Sequence, residues 1–147
     1  MFIQDSGNMD LKKHRDILLA ALSGVLLFLS FPNFIKPGFT YWNQAVAWFA
    51  LVPLLIASEG KGKKRSFGLG FLCGAVFFTG TLFWVMNVKE MGVLGAPASM
   101  ILSLYCALFI GAFSFSYSIL GKTVPRLLLA PALWVSLEYM RAILISG

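Results

Sequence analysis

Five long apolar runs, parted by short segments that hold nearly all the charge, constrain this 147-residue chain more than any other feature. They fall at about 17–31, 41–57, 67–86, 98–120 and 127–145. Crossing a hydrocarbon layer of about 30 Å takes about 20 apolar helical residues, so runs of this length read as membrane helices. Composition points the same way: 59% of residues are hydrophobic and 12% charged, with a mean hydropathy of +0.81. A soluble domain carries about 25% charged residues, and half that amount cannot cover so small a globule. A disordered chain and a cytosolic enzyme are excluded. A nucleic-acid binder fits poorly, although twelve Lys and Arg face six Asp and Glu. The expected fold is a single all-α, polytopic membrane bundle of about five transmembrane helices, residues 17–147, after a polar and basic segment, 1–16. The first run rises only about 22 Å, so its helix is expected to reach back through Leu11, with basic side chains snorkelling to the interface.

The basic residues orient such a bundle. Segments on the N-terminal side hold Lys12, Lys13 and Arg15, then Lys61, Lys63, Lys64 and Arg65, then Lys122 and Arg126; the opposite segments hold Lys36 and Lys89. Nine cations against two, over short loops, predict a cytoplasmic N-terminus and a chain that leaves the last span on the other side. Tyr41, Trp42 and Trp48 suit an interfacial aromatic belt, and Pro53 predicts a kink in the second span. Stops are expected at Pro32 and Lys36-Pro37-Gly38, and a turn at Gly121–Pro125.

Small residues mark where helices approach. Gly70 and Gly74 form a GxxxG, and Ser99, Ser103, Ala107 and Gly111 recur every four residues on the fourth span. Such stripes let backbones touch where no hydrophobic drive pairs helices, so helix packing outweighs a substrate path. Cys73 and Cys106 count about 10 Å apart in depth, too far for a disulfide. The single His14 lies among basic residues and reads as solvated. No metal site, cofactor fingerprint or nucleophile with its base is visible.

One patch carries charge within a span. Glu138 and Arg141 are three residues apart and share a helix face with Trp134 one turn earlier, so the two charges can pair. Ionisable groups in a span are functional candidates by default. Arg141 also lies six residues from the chain end, where it can snorkel with Glu138 as partner, and the structural role is favoured.

This patch resembles a known family. Residues 130–147, APALWVSLEYMRAILISG, look like the apolipoprotein N-acyltransferase segment Pro-Ala-x-Trp-x-x-x-Glu-x-x-Arg, which continues into Leu-x-Gly-Phe-Pro-Trp; Pro131, Ala132, Trp134, Glu138, Arg141 and Gly147 match. LSFPNF at 29–34, WFALVPLLIA at 48–57 and SFGLGFLCGAVFFTGTLFWV at 66–85 are similar to earlier pieces of the family, in order. The stretch Asn87-Val88-Lys89-Glu90-Met91 departs from it, where members carry a Ser and a Phe-Gly-Gly stretch. The resemblance implies a bacterial inner-membrane enzyme that moves a phospholipid acyl chain to the N-terminal cysteine of a lipoprotein. It places the chemistry in a nitrilase-like domain outside the cytoplasm with a Glu–Lys–Cys triad, beyond the part that this chain resembles. Neither Cys73 nor Cys106 can stand in for that cysteine.

The leading expectation is therefore the N-terminal membrane part of such an acyltransferase, which holds lipid beside a catalytic domain and is inactive alone. Its partners would be membrane phospholipid, and through the resemblance an apolipoprotein and the catalytic domain; no nucleic acid, metal or cofactor is expected. The alternatives are a complete five-span scaffold without enzymology and, more weakly, a small transporter.

Overall fold

The structure, a computed structural model, describes the backbone of residues 3–31, 40–120 and 126–146. The expected stops at Pro32 and Lys36-Pro37-Gly38, the turn at Gly121–Pro125, Gly147 and the side chains of Tyr41 and Trp42 lie outside the described residues. Among those described, the chain is helical and has no strand. The helices are α1 (Ile3–Ser30), α2 (Thr40–Phe49), α3 (Val52–Ser58), α4 (Lys63–Thr81), α5 (Gly95–Ile119) and α6 (Arg126–Ser146). Two 3-10 segments, Phe83–Asn87 and Lys89–Leu94, join α4 to α5. Helices suit apolar runs because every backbone group between the termini is satisfied within the segment. Gly60, at φ 67, supplies the left-handed residue that turns the chain between α3 and α4.

Two stretches, Lys63–Asn87 and Gly92–Ile119, are long and apolar enough to cross a membrane by length and composition; Ala45–Ser58 is a shorter apolar helical stretch. The fifth expected span corresponds to α6, within one residue at each end, while the first two are built differently. α1 runs from Ile3 to Ser30, so most of the polar and basic segment is the first half of one long helix that continues into the first apolar run. The second expected span is broken at Ala50 and Leu51, and Pro53 opens α3 instead of kinking one helix near its end. Proline lacks the N–H that would have continued the ladder. The buried Ser23 hydroxyl of α1 donates to the Ala50 carbonyl left at the break.

Contacts fix the register. Asp16 of α1 meets Arg65 of α4 and Phe31 meets Phe77, so the two helices run parallel. In α4 and α5, which are antiparallel, a β-carbon added at Gly74 would lie 2.8 Å from Ala107 Cα, and one at Gly70 would meet the Ile110 carbonyl oxygen at 2.5 Å. Ser99, Ser103, Ala107 and Gly111 are all buried; Ser99 Oγ donates to the Leu82 carbonyl at 3.0 Å, and a β-carbon at Gly111 would touch the Phe67 ring. α6 runs back along α5, with Trp134 edge-on to Phe113 and Arg141 beside Cys106. Leu54, Ala57, Leu69, Cys73, Phe78 and Ile110 form the centre of the core.

The depth count for the cysteines fails. Gly74 faces Ala107, so Cys73 and Cys106 stand at about one level, because α4 starts at Lys63 rather than Phe67 and so adds a turn at its near end. Both are buried and free.

The outward faces are apolar. Met100, Ile101, Leu104 and Leu108 of α5 and Leu128, Val135, Ile143 and Leu144 of α6 are exposed. Soluble monomers rarely expose contiguous apolar surface on this scale.

Candidate functional site

The C-terminal halves of α1, α4 and α6 enclose a cleft of about 440 Å³. Chain direction puts it at the end of the bundle away from Lys61 and Arg65. Leu27 comes from α1 and Phe31 from just past its end, Phe77 and Phe78 from α4, Leu82 and Trp84 from the segment after it, and Trp134, Glu138 and Arg141 from α6. Its volume falls within the roughly 300–1,000 Å³ typical of ligand pockets. The wall is mostly hydrocarbon and aromatic, and its hydroxyls are already engaged: Ser30 Oγ donates to the Leu27 carbonyl at 2.7 Å, and Thr81 Oγ1 to Phe77 at 3.0 Å.

The three α6 residues singled out in the sequence thus share one cleft. Arg141 Nη2 donates to Glu138 Oε2, its guanidinium carbon lies 5.4 Å from the Phe78 ring centroid, and Nη1 lies 3.9 Å from Cys106 Sγ. Cation–π contact and a carboxylate hold the fork in place. Its buried Nε finds no acceptor among the described residues. A fixed, partly exposed guanidinium with Nη hydrogens outside its bond to Glu138, beside an apolar cleft, suits an amphiphile whose polar end carries phosphate or ester oxygens.

Neutralising Glu138 should cost stability, because Arg141 would keep its charge beside the apolar cleft without a counter-ion. Glu138→Gln alone is expected to destabilise by about 1 kcal/mol, below the ~2.5–3.5 kcal/mol for a central charge since both side chains keep some exposure. Glu138→Gln with Arg141→Met should cost less than the sum of the single changes. Unfolding in mixed micelles measures both; additive losses would exclude the pairing.

A second charged cluster escaped the sequence reading. Asp16, with no exposed surface, lies at the opposite end of the bundle. Its Oδ2 accepts from Lys61 Nζ at 2.6 Å and from Arg65 Nη2 at 2.7 Å, and Arg15 Nη2 lies 3.7 Å from Oδ1. One carboxylate therefore ties α1 to the turn before α4 and to α4 itself. The available signal was a lone acid where the first apolar run begins. His14 is exposed, its Nδ1 2.8 Å from the Asp10 carbonyl oxygen.

Comparison with known proteins bears on the whole helical array. The profile of the apolipoprotein N-acyltransferase N-terminal domain matches residues 23–147. An apolipoprotein N-acyltransferase of Geobacter metallireducens is 36% identical over 146 residues, covering 95% of this chain and 27% of the relative. One from Thermotoga maritima is 32% identical over 142 residues, covering 86% of this chain and 26% of its own length. One from Gloeobacter violaceus is 30% identical over 135 residues, covering 84% and 25%. No solved structure matches. The chain spans about a quarter of the length of the curated relatives it matches. With the profile covering most of its residues, this chain belongs to the apolipoprotein N-acyltransferase family, by way of that family's N-terminal domain.

Proposed function

We propose that this chain is a membrane domain that seats the acyl donor of an apolipoprotein N-acyltransferase, holding a phospholipid without transferring its acyl chain by itself. The observation that carries the reading is the cleft: an apolar chamber with the Arg141 guanidinium fixed at its wall by Glu138 and its side chain still about a quarter exposed. Acyl chains would lie against Phe31, Phe77 and Trp134, and the phosphate or ester oxygens against Arg141. The acyl transfer named for the relatives would occur in a domain beyond this segment, with the apolipoprotein as acceptor.

The same reading gives about five spans in a bacterial inner membrane, with the N-terminus cytoplasmic and α6 ending outside. Its support is the segregation of charge: Lys13, Arg15, Lys61 and Arg65 gather at one end, while the far ends of α1, α4 and α6 surround the cleft. The cleft then opens toward the outer leaflet. The apolar outer faces of α5 and α6 suit lipid.

Photoactivatable phospholipid, carrying its reactive group along the acyl chain, tests the assignment. In vesicles, adducts should concentrate on Leu27, Phe77 and Trp84, and Arg141→Gln should reduce them. Adducts spread evenly over Ile101, Leu108 and Val135 on the outer faces, with none favoured in the cleft, would refute the proposal.

A further inference from the structure

At the other end of the bundle α1 and α4 enclose a second, shallower groove of about 280 Å³. Lys13 and Arg65 flank it, and Ile17, Gly68, Leu69 and Leu72 form the rest of its lining. It is distinct from the cleft: Lys13 and Ser30 are separated by about 25 Å of α1, at about 1.5 Å per residue.

Three observations give the groove a ligand class. Arg65 is held by the Asp16 carboxylate at 2.7 Å, which fixes its guanidinium and leaves most of its N–H donors outside that bond. Charge around the groove does not balance, since the single carboxylate of Asp16 already serves Arg15, Lys61 and Arg65, and Lys13 adds a further cation. Gly68 has no packing reason to be glycine. On the same helix Gly70 and Gly74 press against the α5 backbone, whereas a β-carbon at Gly68 would meet nothing within 4 Å. A helix-interior glycine costs about 1 kcal/mol against alanine, and here its effect is to leave the groove open.

We propose that this groove binds one anionic phospholipid from the leaflet on the N-terminal side. The phosphate lies between Lys13 and Arg65, and the head of an acyl chain passes over Gly68 against Ile17, Leu69 and Leu72. Free phosphate would leave the apolar part of the lining unused. A zwitterionic headgroup would bring its ammonium toward an existing excess of cations. The proposal rests on the membrane-spanning reading above and is independent of the cleft.

Native mass spectrometry of the chain, released from bilayers of equal phosphatidylglycerol and phosphatidylcholine, tests it. One phosphatidylglycerol should be retained in preference to phosphatidylcholine. Lys13→Gln should lower that retention about fivefold, the equivalent of the ~1 kcal/mol that one juxtamembrane cation contributes. Gly68→Leu should lower it at least as much without lowering Tm, because its β-carbon meets nothing within 4 Å and leucine is the better helix former. Lys64→Gln, an exposed cation outside the groove lining, should change nothing. Equal retention by wild type, Lys13→Gln and Gly68→Leu would overturn the site, as would displacement of the lipid by excess inorganic phosphate. Carbonate extraction separates the two readings. A chain that stays in the membrane yet retains no lipid in the groove defeats this site alone, and a chain that is extracted defeats the membrane reading on which it rests.

Discussion

Replacing Lys61 and Arg65 together by methionine should destabilise the chain by about 3–5 kcal/mol, the range for stranding a buried charge. Asp16 has no exposed surface, and its Oδ2 meets both cations within 2.7 Å. Without them the carboxylate keeps only Arg15, 3.7 Å from an Oδ1 that lacks a hydrogen-bond partner among the described residues. The opposite change should cost less. In Asp16→Asn the amide keeps an acceptor oxygen, and the Lys61 and Arg65 side chains, 20% and 42% exposed, can turn toward water or lipid phosphate. The order matters more than the magnitudes: the two-cation replacement should exceed Asp16→Asn, and adding Asp16→Asn to it should restore much of the loss. Unfolding midpoints in mixed micelles give all three values. A two-cation variant as stable as the wild type would mean that Asp16 is not held by these partners.

How legible this was depends on whether a feature is local. The helices were readable because apolar runs leave the backbone no other way to satisfy itself, and α6 differs from the expected 127–145 by one residue at each end. The break at Ala50 and Leu51 was only half readable. Pro53 announces a disturbance, but its position depends on Ser23, 27 residues earlier, reaching the Ala50 carbonyl. The Asp16 cluster was not readable from charge counting, since the orientation rule weighs cations and gives acids little place. Its partners lie 45 and 49 residues away, beyond any helical spacing. Trp134, Glu138 and Arg141 could be assigned to one face by their i, i+4 and i+3 relations. Phe78, Phe113 and Cys106, which contact them from α4 and α5, could not, because periodicity shows that a face is buried and not which helix covers it. Membership in the family rested on short pieces in order, and the profile match over residues 23–147 carries it further than any one of them.

At Gly74 the expected result of adding a single methyl group is a loss of about 1–3 kcal/mol, the cost of overpacking a close-packed interior. The new β-carbon would stand 2.8 Å from the Cα of Ala107, and backbone cannot swing aside as a side chain can. Relief requires α4 and α5 to part. At Gly80 the same addition would meet the Phe28 ring at 2.7 Å, the movable end of a side chain, so Gly80→Ala should cost less. Gly68→Ala enters open space and should be neutral or slightly stabilising, since alanine is the better helix former. One chemical change at three positions of one helix should thus rank Gly74 above Gly80 above Gly68. Thermal unfolding in nanodiscs would measure it, and a Gly74→Ala variant as benign as Gly68→Ala would remove the close approach of the two helices. The consequence reaches the cleft. α4 carries Phe77 and Phe78 into its wall, and α5 carries Phe113, which meets Trp134 edge-on at 5.3 Å. Parting α4 from α5 moves these supports relative to each other, so Gly74→Ala should also weaken acyl-chain crosslinking at Phe77, although residue 74 does not line the cleft. Gly68→Ala should leave that crosslinking unchanged, because it alters neither the α4–α5 contact nor the far end of α4.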